Sequence, residues 1–97
     1  MVIGASNYAT IYSEEGSVLA KRAEAEEKQV TEADGVHVLM TVLLTEEQSS
    51  KVTLGAVYQI KSSATRTGAY KLIRREDERL PLRRHTFRSE AGTLNSR

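Results

Sequence analysis

The sequence predicts a mostly β fold, a small antiparallel β-barrel or sandwich of five to six strands with flexible terminal arms. Two observations carry that expectation. The stretch Lys28–Thr45, KQVTEADGVHVLMTVLLT, holds a turn signal followed by a long period-two alternation. Shorter β-branched and aromatic segments then recur at intervals of about ten residues, separated by polar loops, which is the spacing of small all-β domains. Ninety-seven residues suit one domain with a single modest core. The chain divides into an N-terminal arm (1–7), a core (8–88) and a C-terminal tail (89–97).

The organising element is a hairpin. Asp34-Gly35 suits its turn because both residues tolerate positive φ. In the strand that follows, Val36, Val38, Met40, Val42 and Leu44 share a wholly apolar face that must be buried. His37, Leu39, Thr41 and Leu43 form the other face, which is expected to be covered only at its Leu43 end. His37 is read as a half-exposed strand residue.

Upstream, Tyr8–Tyr12 is β-branched and aromatic and reads as a first strand, closed by the turn Ser13–Ser17. Val18–Gln29 fits no single period. Its Ala, Glu, Lys and Arg favour helix by propensity, with Ser17 as N-cap and a Glu24–Lys28 pair. Only Val18, Leu19 and Ala23 supply an apolar stripe, however, and the segment runs straight into the hairpin turn. A strand is the reading preferred here.

Downstream, Thr45–Lys51 reads as a polar loop. Val52–Lys61 reads as a strand interrupted at Gly55 by a bulge or bend. Ser62–Gly68 is a second polar loop, and Ala69–Arg74 a strand with Tyr70 and Leu72 inward. A charge cluster at Arg75–Arg79 leads to a turn at Leu80-Pro81. Leu82–Arg88 is weakly apolar, which suits an edge strand, and Ser89–Arg97 reads as a tail with little to bury.

Composition excludes several kinds of chemistry. Without cysteine, disulfides and thiolate metal sites cannot form. With only His37 and His85 as imidazoles, no metal or cofactor is expected. Glu24, Glu26 and Glu27 lack the loop and glycine of a calcium site and read as a solvated acidic face. No apolar run reaches the roughly 18 residues of a membrane span, and the N-terminus lacks a signal-peptide pattern. His85 sits among arginines with no acid or nucleophile near it in sequence. No catalytic spacing is present, so an enzyme is not expected.

The net charge of +1 conceals an asymmetry. Residues 1–50 carry three bases against nine acids, a net of −6, while residues 51–97 carry eleven bases against four acids, a net of +7. Either the two halves interleave and neutralise in the fold, or the protein presents a basic face to a polyanion or packs head to tail with copies of itself. The candidate partner-binding residues are Arg74, Arg75, Arg79, Arg83, Arg84 and Arg88. Arginine suits phosphate, and Tyr70 and Phe87 flank the cluster as stacking residues should they be exposed. Against this, Glu76, Asp77 and Glu78 sit within it.

The order VLAKRAEAEEKQVTEADGVHVLMTVLL, a polar loop, VTLGAVYQIKS and GAYKLIRRE resembles the small head–tail connector proteins of tailed bacteriophages, most closely the head-closure or stopper type. Asp34-Gly35 matches the turn of that pattern, and Val52-Thr53-Leu54-Gly55 its third element. The match covers residues 18–75. Ala56 stands where the family often has an acid, and the arginine-rich segment after Ile73 has no counterpart. The resemblance implies a structural virion protein of the phage neck, with copies forming a ring that joins the portal or adaptor above to the tail proteins below. It implies a contact or channel-narrowing loop, here Ser62, Ser63, Thr65, Arg66 and Thr67, and non-specific contact with packaged DNA. It also implies a virion location after assembly in the host cytoplasm, with no membrane contact. A capsid decoration protein, or a small nucleic-acid-binding barrel using Arg74–Arg88, stays open beside it.

Overall fold

A computed structural model describes residues 7–62, 67–76 and 82–90. The described chain forms strands β1 (Asn7–Tyr12), β2 (Val18–Glu32) and β3 (Gly35–Thr45), a short helix α1 (Glu46–Ser49), and strands β4 (Val57–Ser62), β5 (Gly68–Glu76) and β6 (Leu82–Ser89). The six strands close into an antiparallel barrel in the order β1-β2-β3-β6-β5-β4. Of the two architectures expected, the barrel is the one formed. Closure leaves every strand hydrogen-bonded on both sides, so β6 is an interior strand between β3 and β5 and not the edge its weak apolarity suggested.

The hairpin forms as expected. β2 and β3 pair from Ala25↔Val42 to Glu32↔Gly35, and Gly35 takes φ 129° at the turn. Val38, Met40, Val42 and Leu44 point into the core, as the alternation requires. Val36 departs from the expectation and is 49% exposed. The reason lies in the register: β6 reaches β3 only from Leu39↔Arg88 onward, so the hairpin end projects past its cover.

The mixed pattern of residues 18–29 has a structural cause. Between Ala9↔Ala23 and Ile11↔Ala20 the register gains one residue on β2, a bulge that reverses which side chains face inward. Ala20 and Ala23, three apart, are therefore both buried. Arg22 occupies the bulge at φ 53°, the sole positive-φ residue other than glycine among the described residues. Its displaced N–H donates to Thr10 Oγ1 at 3.2 Å, and its guanidinium lies 5.3 Å over the Tyr8 ring. The segment is a strand with a phase error, which mimics poor periodicity.

Two expected segments differ. Thr45–Lys51 is not a plain loop: Thr45 Oγ1 accepts from Gln48 N at 3.1 Å while Gln48 Oε1 accepts from Thr45 N at 3.0 Å. This capping box starts α1. The strand expected from Val52 begins only at Val57. Gly55 at φ 91° turns the chain, and its N–H donates to Leu72 O at 2.7 Å. At the C-terminal end, Ser89 belongs to β6 and is buried, so the expected tail begins later than residue 89. Asn7, assigned to the arm, is already the first residue of β1 and pairs with Ala25. Residues 1–6 and 91–97 of the arms, the Leu80-Pro81 turn and residues 63–66 lie outside the described residues.

The core is small and aliphatic around three rings, Tyr58, Tyr70 and Phe87. Tyr58 and Phe87 meet edge to face at 6.3 Å, within a cluster that includes Ile11, Met40, Leu44, Ile60, Tyr70 and Leu72. The side chains of β2 that enter the barrel are alanines, which leaves the volume to β3, β5 and β6.

Candidate interaction surface and buried histidine contacts

Folding does not interleave the two charged halves of the chain. In ring order β1-β2-β3 are contiguous, and so are β6-β5-β4. β1 and β3 carry no acid, so the acids of the first half sit on β2 (Glu24, Glu26, Glu27, Glu32) and in its flanking turns (Glu14, Glu15, Asp34). Residues 7–45 carry three bases against seven acids, net −4. The described residues of β4 to β6 with their flanks, 57–62, 67–76 and 82–90, carry seven bases against two acids, net +5. The barrel has an acidic half and a basic half, meeting at the β3–β6 and β1–β4 seams.

The predicted arginines divide between the hairpin end, the β5 carboxylate Glu76, α1 and the open surface. Arg88 is committed to the hairpin end, where its guanidinium bonds Glu32 and lies 4.0 Å from Asp34. Arg84 donates to Glu76 at 3.2 Å, and Arg74 Nε lies 3.4 Å from the same carboxylate. Arg83 reaches Glu46 of α1 at 3.9 Å. Arg75 is exposed on β5, as is Lys71. Arg79 lies outside the described residues. The cluster is thus largely cross-linked to acids, and exposed pairs of this kind contribute little stability each. Tyr70 and Phe87 are fully buried, so neither is available to stack on a base.

Of the proposed contact loop, Ser62 closes β4 and is buried, its hydroxyl donating to Glu27. Thr67 is exposed, while Ser63, Thr65 and Arg66 lie outside the described residues. Glu24 and Glu26 are solvent-facing as expected. A groove over the β3–β6 seam has Glu26 on one rim and Arg74 on the other, with Thr41 and Thr86 between.

Both histidines are buried, against the expectation of a half-exposed His37. On β3, His37 is 2% exposed. Its Nδ1 stands 2.8 Å from Ser89 O and its Nε2 stands 2.9 Å from Asp34 Oδ1. The hydrogen bond with Asp34, seconded by that to the Ser89 carbonyl, raises the His37 pKa above its ordinary value, against the opposing effects of burial and Arg88. The same bond holds the Asp34 carboxyl below its usual range. Glu32, Asp34 and His37 have the spacing of metal ligands, but the cation among them is the Arg88 guanidinium. Two signals were available in the sequence, the Asp34-x-x-His37 spacing across a turn and the basic residue at Arg88. Nothing local announced Ser89, fifty-two residues away.

The second pair was invisible to sequence reading. Ser49 Oγ lies 2.8 Å from His85 Nε2, and His85 Nδ1 lies 3.0 Å from Arg83 O. A carbonyl only accepts, so Nδ1 carries a proton, and on the neutral ring Nε2 accepts from the Ser49 hydroxyl. This has the polarity of a serine–histidine pair in acyl transfer. Ser49 is 2% exposed and His85 0%, so the hydroxyl is sealed from any substrate in this conformation. The bond fastens α1 to β6. No family model matches this chain, and no curated protein or solved structure shows significant similarity to it.

Proposed function

We propose that the chain is a structural assembly protein whose copies contact one another side to side in a ring, as a head–tail connector of a tailed phage does in joining head to tail. The observation that carries this reading is the division of a closed barrel into an acidic and a basic half. A closed barrel offers no free strand edge for assembly by sheet extension. Contacts must then use side chains on the outer faces and the ends. Two unlike, electrostatically complementary sides favour a heterologous contact, and heterologous contacts close into a ring where the rotation between neighbours closes. Exposed Val57 and Ile73, near Lys71 in the β4–β5 pairing, add apolar area to the basic side. The alternative use of the basic half, binding nucleic acid, is weakened by the burial of both flanking aromatics and by the acid partners of Arg74, Arg84 and Arg88.

The test is a charge swap. Lys71→Glu/Arg75→Glu reverses the basic side, and Glu15→Lys/Glu24→Lys the acidic side. All four positions are exposed and clear of the seam groove. Sedimentation at low salt should show association of the unaltered chain, weakened in each variant because like sides then meet. Mixing the two variants should restore it. A monomer at every salt concentration, with no gain on mixing, overturns the reading.

A further inference from the structure

We propose that His37 is a proton-operated latch at the end of the β2–β3 hairpin, where one ring nitrogen exchanges Asp34 for Arg88 as its partner when the imidazole loses a proton. This stands independently of ring assembly. The Ser89 carbonyl, 2.8 Å from Nδ1, only accepts, so Nδ1 carries a proton. The Asp34 carboxylate, 2.9 Å from Nε2, also only accepts, so that contact is a hydrogen bond when Nε2 carries a proton, whereas the Arg88 guanidinium, 3.3 Å from the same nitrogen, only donates and suits the deprotonated ring. The shorter of the two contacts is the one an imidazolium makes.

Charge balance agrees. The groups facing the ring are Asp34 from the turn, Glu32 from β2 with its carboxylate 3.9 Å away, and Arg88 from β6 with Nη2 at 3.3 Å. Beyond them lie Lys71 of β5, paired with Arg88 in register, and Glu90, whose N–H donates to Ala69 O. Two carboxylates against one guanidinium leave a net negative charge, which the protonated ring cancels.

Deprotonation leaves the Nδ1–H bond to Ser89 in place and puts a lone pair on Nε2. That lone pair cannot face the Asp34 carboxylate at 2.9 Å, and Arg88 Nη2 already stands close enough to donate to it. Asp34, with its side chain 54% exposed, moves to water. The turn is then released while β6 stays fastened through Ser89, whose hydroxyl also accepts from Val38 N at 2.9 Å. The latch thus frees the hairpin end without opening the barrel. Projecting past β6, that end is the part of the fold best placed to change a contact with a neighbour.

The experiment is a pH titration of the full chain by nitrogen NMR, following both ring nitrogens of His37 and the exchange of the 30–37 amides corrected for intrinsic rate. Nε2 should lose its proton at a pH above about 6.5, with Nδ1 protonated throughout. The 30–37 amides should then exchange several-fold faster while those of β6 hold. Asp34→Asn, at an exposed position that does not threaten folding, should bring the His37 midpoint down and abolish the change in exchange. A midpoint at or below 6.5, a proton lost from Nδ1, or a midpoint unmoved by Asp34→Asn would each overturn the latch.

Discussion

Replacing Phe87 with alanine probes whether the barrel interior is packed as described. Phe87 is fully buried on β6, between Met40 of β3 and Leu72 of β5 in the register, and it meets Tyr58 edge to face. Truncating such a side chain costs about 3–5 kcal/mol, because the transfer energy is lost and the cavity only partly collapses. A chain of this length is stable by roughly 5–15 kcal/mol, so the loss is a large fraction of the whole. With a urea m-value of about 1–3 kcal/mol/M, the unfolding midpoint should fall by about 2 M. Phe87→Leu, which keeps much of the volume, should cost far less. A double-mutant cycle with Tyr58→Leu should return about 0.5–1.5 kcal/mol for the ring pair. A midpoint shift below about 0.5 M for Phe87→Ala would refute the reasoning, since it would mean that β6 is not held inside a closed barrel.

Gly35→Ala should destabilise by about 1–3 kcal/mol in chemical denaturation, because φ 129° is closed to a residue with a Cβ even though the space around it is open. Thr45→Ala should cost about 1 kcal/mol by removing the hydroxyl of the α1 capping box, read by the same assay. Stability against pH should fall on both sides of a plateau. The depressed Asp34 pKa contributes stability above its unfolded value that is lost as pH falls through the folded one. The raised His37 pKa contributes stability below its unfolded value that is lost as pH rises through the folded one. Thermal unfolding of His37→Gln should lose the alkaline limb. If the basic half does bind DNA, fluorescence anisotropy of a labelled duplex should weaken steeply between about 50 and 200 mM salt. Binding that is flat with salt, or absent, would leave the cations to protein neighbours.

Much of this fold can be read from local pattern, because a strand half-buried against a core must alternate. β3 and β5 announce themselves that way, β1 by its β-branched and aromatic content, and Asp34-Gly35 marks the hairpin. What escaped sequence reading depends on contacts between distant residues. β6 looked like an edge because its charged residues were counted without their partners. Arg88 and Arg84 sit on an interior strand with acids from β2 and β5 beside them, and the small Ser89 and polar His85 fill inward positions. The β2 bulge hid a strand by shifting its phase at Arg22. The helix at Glu46 was legible in principle, since Thr45 and Gln48 stand three apart as a capping box requires. The buried histidines were not, because their partners Ser89 and Ser49 lie fifty-two and thirty-six residues away.

The placement of polar groups suggests how the barrel divides its tasks. A six-strand barrel with alanines on one strand leaves little apolar area, and two buried histidines consume some of it. Each is tolerated because both ring nitrogens are bonded, which removes the cost of burying an unsatisfied polar group. The two are not equivalent. His85 is bonded to a carbonyl, which only accepts, and to a hydroxyl, which can accept or donate, so its contact is a fixed fastening of α1. His37 is bonded to a carboxylate with a second carboxylate and a guanidinium beside it, so its contact depends on charge. The fixed pair lies where β3 leaves the barrel through α1, and the charge-dependent pair at the opposite end of β3, beyond the cover of β6. One strand therefore runs from a permanent anchor to a conditional one, and a contact made through the hairpin end inherits that condition.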